Sequence, residues 1–288
     1  MDGVAYVNGE FAPLSEARVS ILDRGFLFAD GVYEVAAVLE GRLVDNRAHL
    51  ERLKRSLAAL TISAPLSAAE LEKVQEELIV RNRLEEGIVY IQVTRGAGPR
   101  DFSFPPDAAP TLVMFTQRKN ILNAPNVATG IAVKTLPDIR WAWRHIKSVA
   151  LLPQVLAKQA AVAEGRQEAW MYDEAGLVTE GASSTAFIVT KEGRVTTRPN
   201  SSAILPGCTR QIILGLAKGA GLAIEERSFS VEEALGAAEA FVSSASTFVL
   251  PVVSIDGRTV GAGVPGETAK RLRKLYVDFA LAEVRRAR

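Results

Sequence analysis

The chain has 288 residues, enough for one large or two moderate domains whose core needs no disulfide staples. Its 34 basic and 33 acidic residues leave a net charge of +1, which gives no electrostatic reason to expect nucleic acid or an anionic membrane as partner. One cysteine, Cys208, and two histidines, His49 and His145, exclude a disulfide framework, a thiolate metal site and a His-rich metal centre, so no metal is expected. Neither histidine has an evident Ser or Asp partner for a hydrolase triad. Met1-Asp2-Gly3-Val4 lacks a basic region followed by an apolar stretch, so a signal peptide is not expected. No run approaches about 18 unbroken apolar residues, so no membrane span is expected, and the expected address is cytoplasmic.

In chain order, residues 5–7 and 10–12 read as a short hairpin around Asn8-Gly9, a good type I′ turn pair. Residues 32–39 form an apolar strand that turns at Glu40-Gly41-Arg42 and returns through Leu43-Val44. Leu50, Leu53, Leu57 and Leu60 recur at helical spacing over residues 46–60. Ser67-Ala-Ala-Glu70 is a capping box that opens a second helix through about Asn82. Strands follow at 88–94 and 111–116. Residues 118–130 lose periodicity, gather Asn, Pro and Gly, and read as a linker. Beyond it, strands are expected at 131–135, 168–172, 185–190, 194–197 and 240–244. Helices are expected at 149–164, 209–219, 231–235 (behind a capping box from Ser230 to Glu233) and 267–285. The fold class is therefore α/β or α+β, with a small N-terminal α/β domain over 1–117, a linker over 118–130 and a larger C-terminal α/β domain over 131–288.

Lys147 stands between Ile146 and an apolar stretch, an unusual place for an ammonium that resists desolvation. Burial and the nearby Arg144 would lower its pKa and make it a nucleophile toward an aldehyde. Taken alone, the segment reads more readily as a snorkelling surface lysine at a helix start. Two stretches rich in small hydroxyl residues follow. Glu180, ahead of Ser183-Ser184-Thr185, places a carboxylate before an apolar strand, where it could pair with a protonated ring nitrogen; an exposed turn glutamate is the plain alternative. Gly207-Cys208-Thr209 opens an apolar helix with Thr209 expected as N-cap, and free N–H groups there suit a phosphate as well as an ordinary cap. Ser243-Ser244-Ala245-Ser246 follows a strand and could add N–H groups to the same anion. Gly261-Ala-Gly263-Val-Pro-Gly266 has dinucleotide-loop spacing, but only about twenty residues follow it, too few for the second strand of a βαβ unit.

These blocks, taken together and in order, resemble the fold-type IV pyridoxal-phosphate enzymes, and D-amino-acid transaminases most closely. The resemblance runs from about Tyr6 to Leu275. It rests on Asp23-Arg-Gly-Phe-Leu-Phe-Ala-Asp-Gly-Val-Tyr33-Glu34, His49-Leu-Glu-Arg52, Thr94-Arg-Gly-Ala-Gly-Pro-Arg100, Ile146-Lys147-Ser148, Thr179-Glu180-Gly181, Leu205-Pro-Gly207-Cys-Thr209 and Pro251-Val-Val-Ser-Ile-Asp-Gly257. It implies that Lys147 carries pyridoxal 5'-phosphate as a Schiff base and moves the substrate proton. Glu180 would keep the pyridine nitrogen protonated, and Leu205 would pack on the ring. Arg52, Thr209, the Cys208 N–H and the Ser244-Ala245 turn would hold the phosphate, with Ser184 and Gly207 in the cofactor set. Tyr33 would face the substrate carboxylate, and Arg100 would reach it from the other subunit of a homodimer. The substrates implied are an amino donor and a 2-oxo acid acceptor, exchanged in ping-pong fashion.

Three positions depart from the pattern. Phe102 stands where D-amino-acid transaminases commonly have the His of Arg-x-His, with Asp101 beside it. Ala245 replaces a frequent Thr, and His145 replaces a usual acidic residue. Loss of a carboxylate-binding group makes an (R)-selective primary amine transaminase the second reading. Branched-chain aminotransferases and aminodeoxychorismate lyases share the fold but fit the Tyr33-Glu34 stretch and Arg100 less well. Retention of both Lys147 and Glu180 argues against a cofactor-binding protein without turnover.

Overall fold

A computed structural model describes residues 3–286. Met1 and Asp2, part of the N-terminus read above for a leader, and Ala287 and Arg288, the end of the expected 131–288 domain, lie outside the described residues. The chain forms two compact units. The first runs up to Asn120 and also takes in Ile146–Ala150 and the chain from Ala280 on; the second comprises Ile121–His145 and Leu151–Phe279.

In the first unit β1 (Val4–Val7) and β2 (Glu10–Pro13) form the expected hairpin, with Asn8 and Gly9 both at positive φ (48° and 106°) as a type I′ turn requires. Then come α1 (Arg24–Phe28), β3 (Gly31–Leu39), β4 (Arg42–Val44), α2 (Asn46–Ala59), α3 (Ala68–Arg81), β5 (Gly87–Thr94) and β6 (Thr111–Arg118). The strands make a sheet in the order β2-β1-β6-β5-β3-β4, antiparallel throughout. Leu50, Leu53 and Leu57 of α2 and Leu71 and Leu78 of α3 join Val32, Ile91 and Val93 of the sheet in one core. The α3 capping box is complete: the Ser67 hydroxyl accepts from the Glu70 N–H, and the Glu70 carboxylate accepts from the Ser67 N–H.

On one edge β3 outruns its partner. β4 pairs only with Ala37–Leu39 of that strand, and the vacant stretch nearer its start is taken by Ile146–Ala150. The Tyr33 N–H donates to the Lys147 carbonyl and the Val149 N–H to the Gly31 carbonyl, both at 3.0 Å. Ile146 is buried in the same core as Val32 and Leu53. These pairings correct the helix expected from residue 149. The chain stays extended through the lysine, and α5 begins only at Leu152.

The second unit holds α4 (Pro125–Thr129), inside the stretch read as linker, then β7 (Ile131–Pro137), α5 (Leu152–Ala163), β8 (Glu168–Tyr172), β9 (Val178–Gly181), β10 (Thr185–Val189) and β11 (Val195–Thr197). After them come α6 (Cys208–Gly219), β12 (Ile224–Glu226), α7 (Val231–Leu235), β13 (Glu239–Ser244), β14 (Phe248–Ile255), β15 (Arg258–Thr259) and α8 (Glu267–Arg286). Among the described residues the strands form a mixed sheet ordered β12-β11-β10-β13-β14-β7-β8-β9, with β15 on β14. One face packs Ile188, Val242, Val252 and Trp170 against Phe229 and Ala234 around α7. Four of these strands, β9, β12, β14 and β15, lie outside the sequence expectation. The dinucleotide-like glycines sit in the loop before α8, where the Glu239 carboxylate accepts from the Thr268 and Ala269 N–H groups at 2.9 Å each. An internal carboxylate thus occupies the helix start that a phosphate would need.

Arg273 on α8 is buried and donates to four main-chain carbonyls, those of Ile121, Leu122, Thr247 and Val249. It ties the chain's entry into this unit to the turn before β14. Arg273→Met leaves those carbonyls without a charged donor and should lower the unfolding free energy by about 3 kcal/mol. Urea unfolding monitored by tryptophan fluorescence measures it; a loss under about 1 kcal/mol contradicts this role.

Candidate functional site

The groups that the sequence singles out fall into two sets, one on each unit. On the first, Lys147 is half-buried, with its main chain fixed to β3 and its N–H 3.3 Å from the Ser56 hydroxyl. Its Nζ lies 4.3 Å from the centre of the Tyr33 ring, an amine–π contact that holds the side chain over one sheet face. Tyr33 stacks on Tyr90 and Tyr90 on Phe115, with ring centres 5.7 and 4.8 Å apart, so three adjacent strands supply an aromatic row. Burial, with Tyr33 adding to it, raises the Tyr90 phenol above its ordinary range, and that hydroxyl donates to Gln92 at 2.8 Å.

Beneath the same strand lies a buried ion pair. Arg52 donates through Nε and Nη2 to the two Glu34 oxygens at 2.6 and 2.9 Å, and His49 Nδ1 stands 2.9 Å from Glu34 Oε2. Glu34 is 1% exposed and Arg52 is 4% exposed. Burial alone would raise the Glu34 carboxyl, but the Arg52 guanidinium, by charge and hydrogen bond, and then His49 hold it far below the carboxylate range. Asp45 sits close by at the start of α2. Burial pushes its carboxyl up to about 6, helped by Glu283 and opposed by His49 and Arg52. The bidentate pair sets the plane of the Arg52 guanidinium.

Arg100 and Phe102 lie on an exposed loop after β5. The Arg100 guanidinium is 5.8 Å from the Phe28 ring centre and the Phe102 ring 5.6 Å from it. Phe102 is 84% exposed.

On the second unit Glu180 is buried inside β9, which corrects its expected place in a turn. Its Oε1 accepts from Arg140 Nη1 and, at 3.1 Å, from the Leu205 N–H. Arg140 is also paired with Asp138, which takes a hydrogen bond from the Thr179 hydroxyl at 2.7 Å and an ion pair from Arg144. Burial alone would raise the Asp138 carboxyl, but Arg140 holds it low. The Leu205 N–H bond fixes the chain just ahead of α6, where Gly207, not Thr209, is the N-cap. Among the described residues no side chain caps this helix, so the N–H groups of its first turn, at Cys208 and Thr209, keep the anion-binding character of a helix start. A Cβ on Gly207 would lie 3.0 Å from the Thr185 hydroxyl, so the backbone passes close to that side chain with little room to spare. Ser244 shares hydrogen bonds with Ser246 and Thr247 in the turn that also contains Ala245. The Ser184 hydroxyl is committed to Glu168 at 3.1 Å.

Sequence reasoning gave no role to Arg140 or to Glu34. The acid and two arginines at Asp138, Arg140 and Arg144, and an acid alternating with apolar residues on β3, were the signals present.

Comparison with known proteins gives a consistent result. The family described as amino-transferase class IV matches residues 31–255. A D-alanine aminotransferase of Staphylococcus haemolyticus is 38% identical over 275 residues, 95% of this chain and 96% of that one. A D-alanine aminotransferase of Bacillus licheniformis is 37% identical over 278 residues, 96% of each. Among solved structures, the branched-chain amino acid aminotransferase of Escherichia coli superposes with TM-score 0.91 at 24% identity, covering 97% of this chain and 95% of that one. The branched-chain amino acid aminotransferase of Thermoproteus uzoniensis, solved with norvaline, gives 0.88 at 24%, covering 98% and 96%.

The buried pair has a pH signature. With its folded pKa depressed below 4.5, Glu34 contributes stability that is present above that value and lost as pH falls below it. Glu34→Gln removes the buried negative charge that faces Arg52 and should cost about 3–5 kcal/mol at pH 7. The gap to the parent should narrow as the pH is lowered into the acid range. Denaturant melts at pH 7 and pH 4 check both; a gap that is absent at pH 7 or widens in acid contradicts the assignment.

Proposed function

The chain belongs to the class IV aminotransferases, and on that premise we propose that it moves the amino group of a D-amino acid to a 2-oxo acid using pyridoxal 5'-phosphate. The observation that carries this reading is the pair of D-alanine aminotransferases matched over nearly the full length. The donor sets fit such a cofactor. A half-buried amine suits an aldehyde, an uncapped helix start beside a close-passing glycine suits a phosphate, and a buried carboxylate suits a protonated ring nitrogen. When bound, pyridoxal phosphate supplies an electron-withdrawing ring that acidifies the substrate α-carbon.

In this proposal Lys147 would hold the cofactor through its Nζ, and the same amine would carry the substrate α-proton. Tyr33 beneath it confines the swing of the amine to one face. Glu180 would hold a proton at the ring nitrogen, and Arg140 keeps that carboxylate aimed. Leu205, anchored to Glu180 through its N–H, packs on the ring. Arg52, the Cys208 and Thr209 N–H groups, the Thr209 hydroxyl and the Ser244-Ala245 turn hold the phosphate. Ala245 can contribute only its N–H, and Ser184, its hydroxyl taken by Glu168, acts through its main chain.

Tyr33, Arg100 and Phe102 define the substrate end. We place Arg100 against the carboxylate bound by a second copy in a homodimer. An exposed arginine beside Phe28 and the exposed Phe102 supports this, because exposed apolar side chains next to it suit burial by another chain. Phe102, a ring with no hydrogen-bond donor, also favours a second reading, transfer from (R)-primary amines that lack a carboxylate.

Two measurements test this. Lys147→Ala should shift the absorption band of the cofactor-loaded protein to that of the free aldehyde and abolish turnover of D-alanine. Activity that survives the change contradicts the assignment. Phe102→His, read by steady-state kinetics, should lower the KM for D-alanine by about tenfold through one added charge-assisted hydrogen bond. An unchanged KM removes Phe102 from the carboxylate end.

A further inference from the structure

The loop at residues 100–104 has no evident reason to hold one shape. It carries Asp101 and Ser103 between side chains that point outward, with Phe102 84% and Phe104 58% exposed. Yet its main chain is gathered by one buried side chain. Arg24, 2% exposed at the start of α1, donates through Nη1 to the carbonyls of Asp101 at 2.6 Å and Ser103 at 3.3 Å, and through Nη2 to that of Phe102 at 3.5 Å. Its Nε donates to Asp30 Oδ2 at 2.8 Å. Asp30 also accepts a two-bond fork from Arg95, at 2.8 and 3.1 Å, and the Arg95 guanidinium lies 3.5 Å from the Phe104 ring centre. Arg95 is itself held by the carbonyls of Leu60 and Thr61. Inside the loop, Asp101 Oδ1 accepts from the Ser103 N–H at 2.7 Å.

We propose that Arg24, held by Asp30, is a positioning residue that fixes the 100–104 loop and thereby presents Arg100 and Phe102 to the substrate. The inference rests on the reading of Arg100 as a carboxylate partner. Three successive carbonyls turned toward one guanidinium leave the side chains of the loop to face outward. Arg100 and Phe102 both come to rest near Phe28, the last residue of α1. The loop is therefore ordered before any ligand arrives, and the entropy of ordering it is not charged to binding. The job requires an arginine. Its Nε meets Asp30 while the two terminal nitrogens meet the carbonyls, whereas an ammonium cannot span both.

A staple that only stabilised the fold would lower melting temperature and touch KM and kcat without discrimination. The positioning role predicts a split. In the cofactor-loaded enzyme with D-alanine as donor, Arg24→Lys should raise KM by about tenfold or more while kcat stays within about threefold. Amide hydrogen exchange at residues 101–104 should speed up while the rest of the first unit stays protected. Asp30→Asn, which keeps the side-chain shape, should move the same quantities in the same direction and carries the test if Arg24→Lys does not fold. Arg100→Gln should raise KM with loop exchange unchanged. Parent-like KM in both clamp variants beside a raised KM in Arg100→Gln overturns the clamp and leaves the carboxylate reading standing. Parent-like KM in Arg100→Gln overturns that reading and the clamp's substrate role with it. Exchange accelerated throughout the unit, with KM and kcat changed alike, also overturns the proposal.

Discussion

Two main-chain hydrogen bonds, Tyr33 N–H to Lys147 O and Val149 N–H to Gly31 O, hold the lysine segment against a strand more than a hundred residues earlier in the chain. They exist because β4 covers only the far end of β3 and leaves donors and acceptors at its start to be satisfied. Ile146 on one side of the lysine is buried in the first unit's core, which secures the segment in register. The backbone of Lys147 is thereby fixed, and its amine rests over the Tyr33 ring. The chemistry proposed for the protein depends on this docking more than on any feature of the lysine itself.

The charged groups around the proposed chemistry follow one pattern. Glu34 with Arg52, Asp138 and Glu180 with Arg140, and Asp30 with Arg24 and Arg95 each set buried or half-buried carboxylates against guanidinium forks. Such pairs contribute little net stability, because desolvation offsets the attraction. What they supply is orientation, since a bidentate fork fixes a plane. Arg52 is held in this way by Glu34, and Arg140, itself forked on Asp138, and Arg24, bonded to Asp30, hold Glu180 and the loop of Arg100; none of these partners touches a reacting atom in the proposal. Precision at each position is obtained from pairs whose energetic return is small.

Much of the fold was legible in the sequence. Asn8-Gly9 marked a hairpin, Ser67 and Glu70 a helix start, and the leucines from Leu50 to Leu57 a core-facing stripe, because these signals are local. The strands that escaped lacked them. β14 carries Pro251, which ordinarily argues against an inner strand, and β9 is only four residues long and ends in a glycine. Residues 149–151 looked helical because they are apolar; the long-range bond from the Val149 N–H to Gly31 holds the chain to β3, and the helix starts only at Leu152. The same limit applies to the candidate site. Lys147, Glu180 and the Gly207 turn could be picked out by residue type and order. Arg140 and Arg24 could not, because their meaning lies in partners distant in the chain, Glu180 in one case and Asp101 to Ser103 in the other.

The central claim is that one lysine, delivered by the edge of β3, forms the bond to the cofactor. Borohydride reduction of the protein loaded with pyridoxal phosphate makes that bond permanent, and peptide mass mapping then reads which lysine carries it. The account predicts the phosphopyridoxyl mass on the peptide containing Lys147 and nowhere else. A label on Lys134 or Lys158 instead, or no label at all, would contradict it.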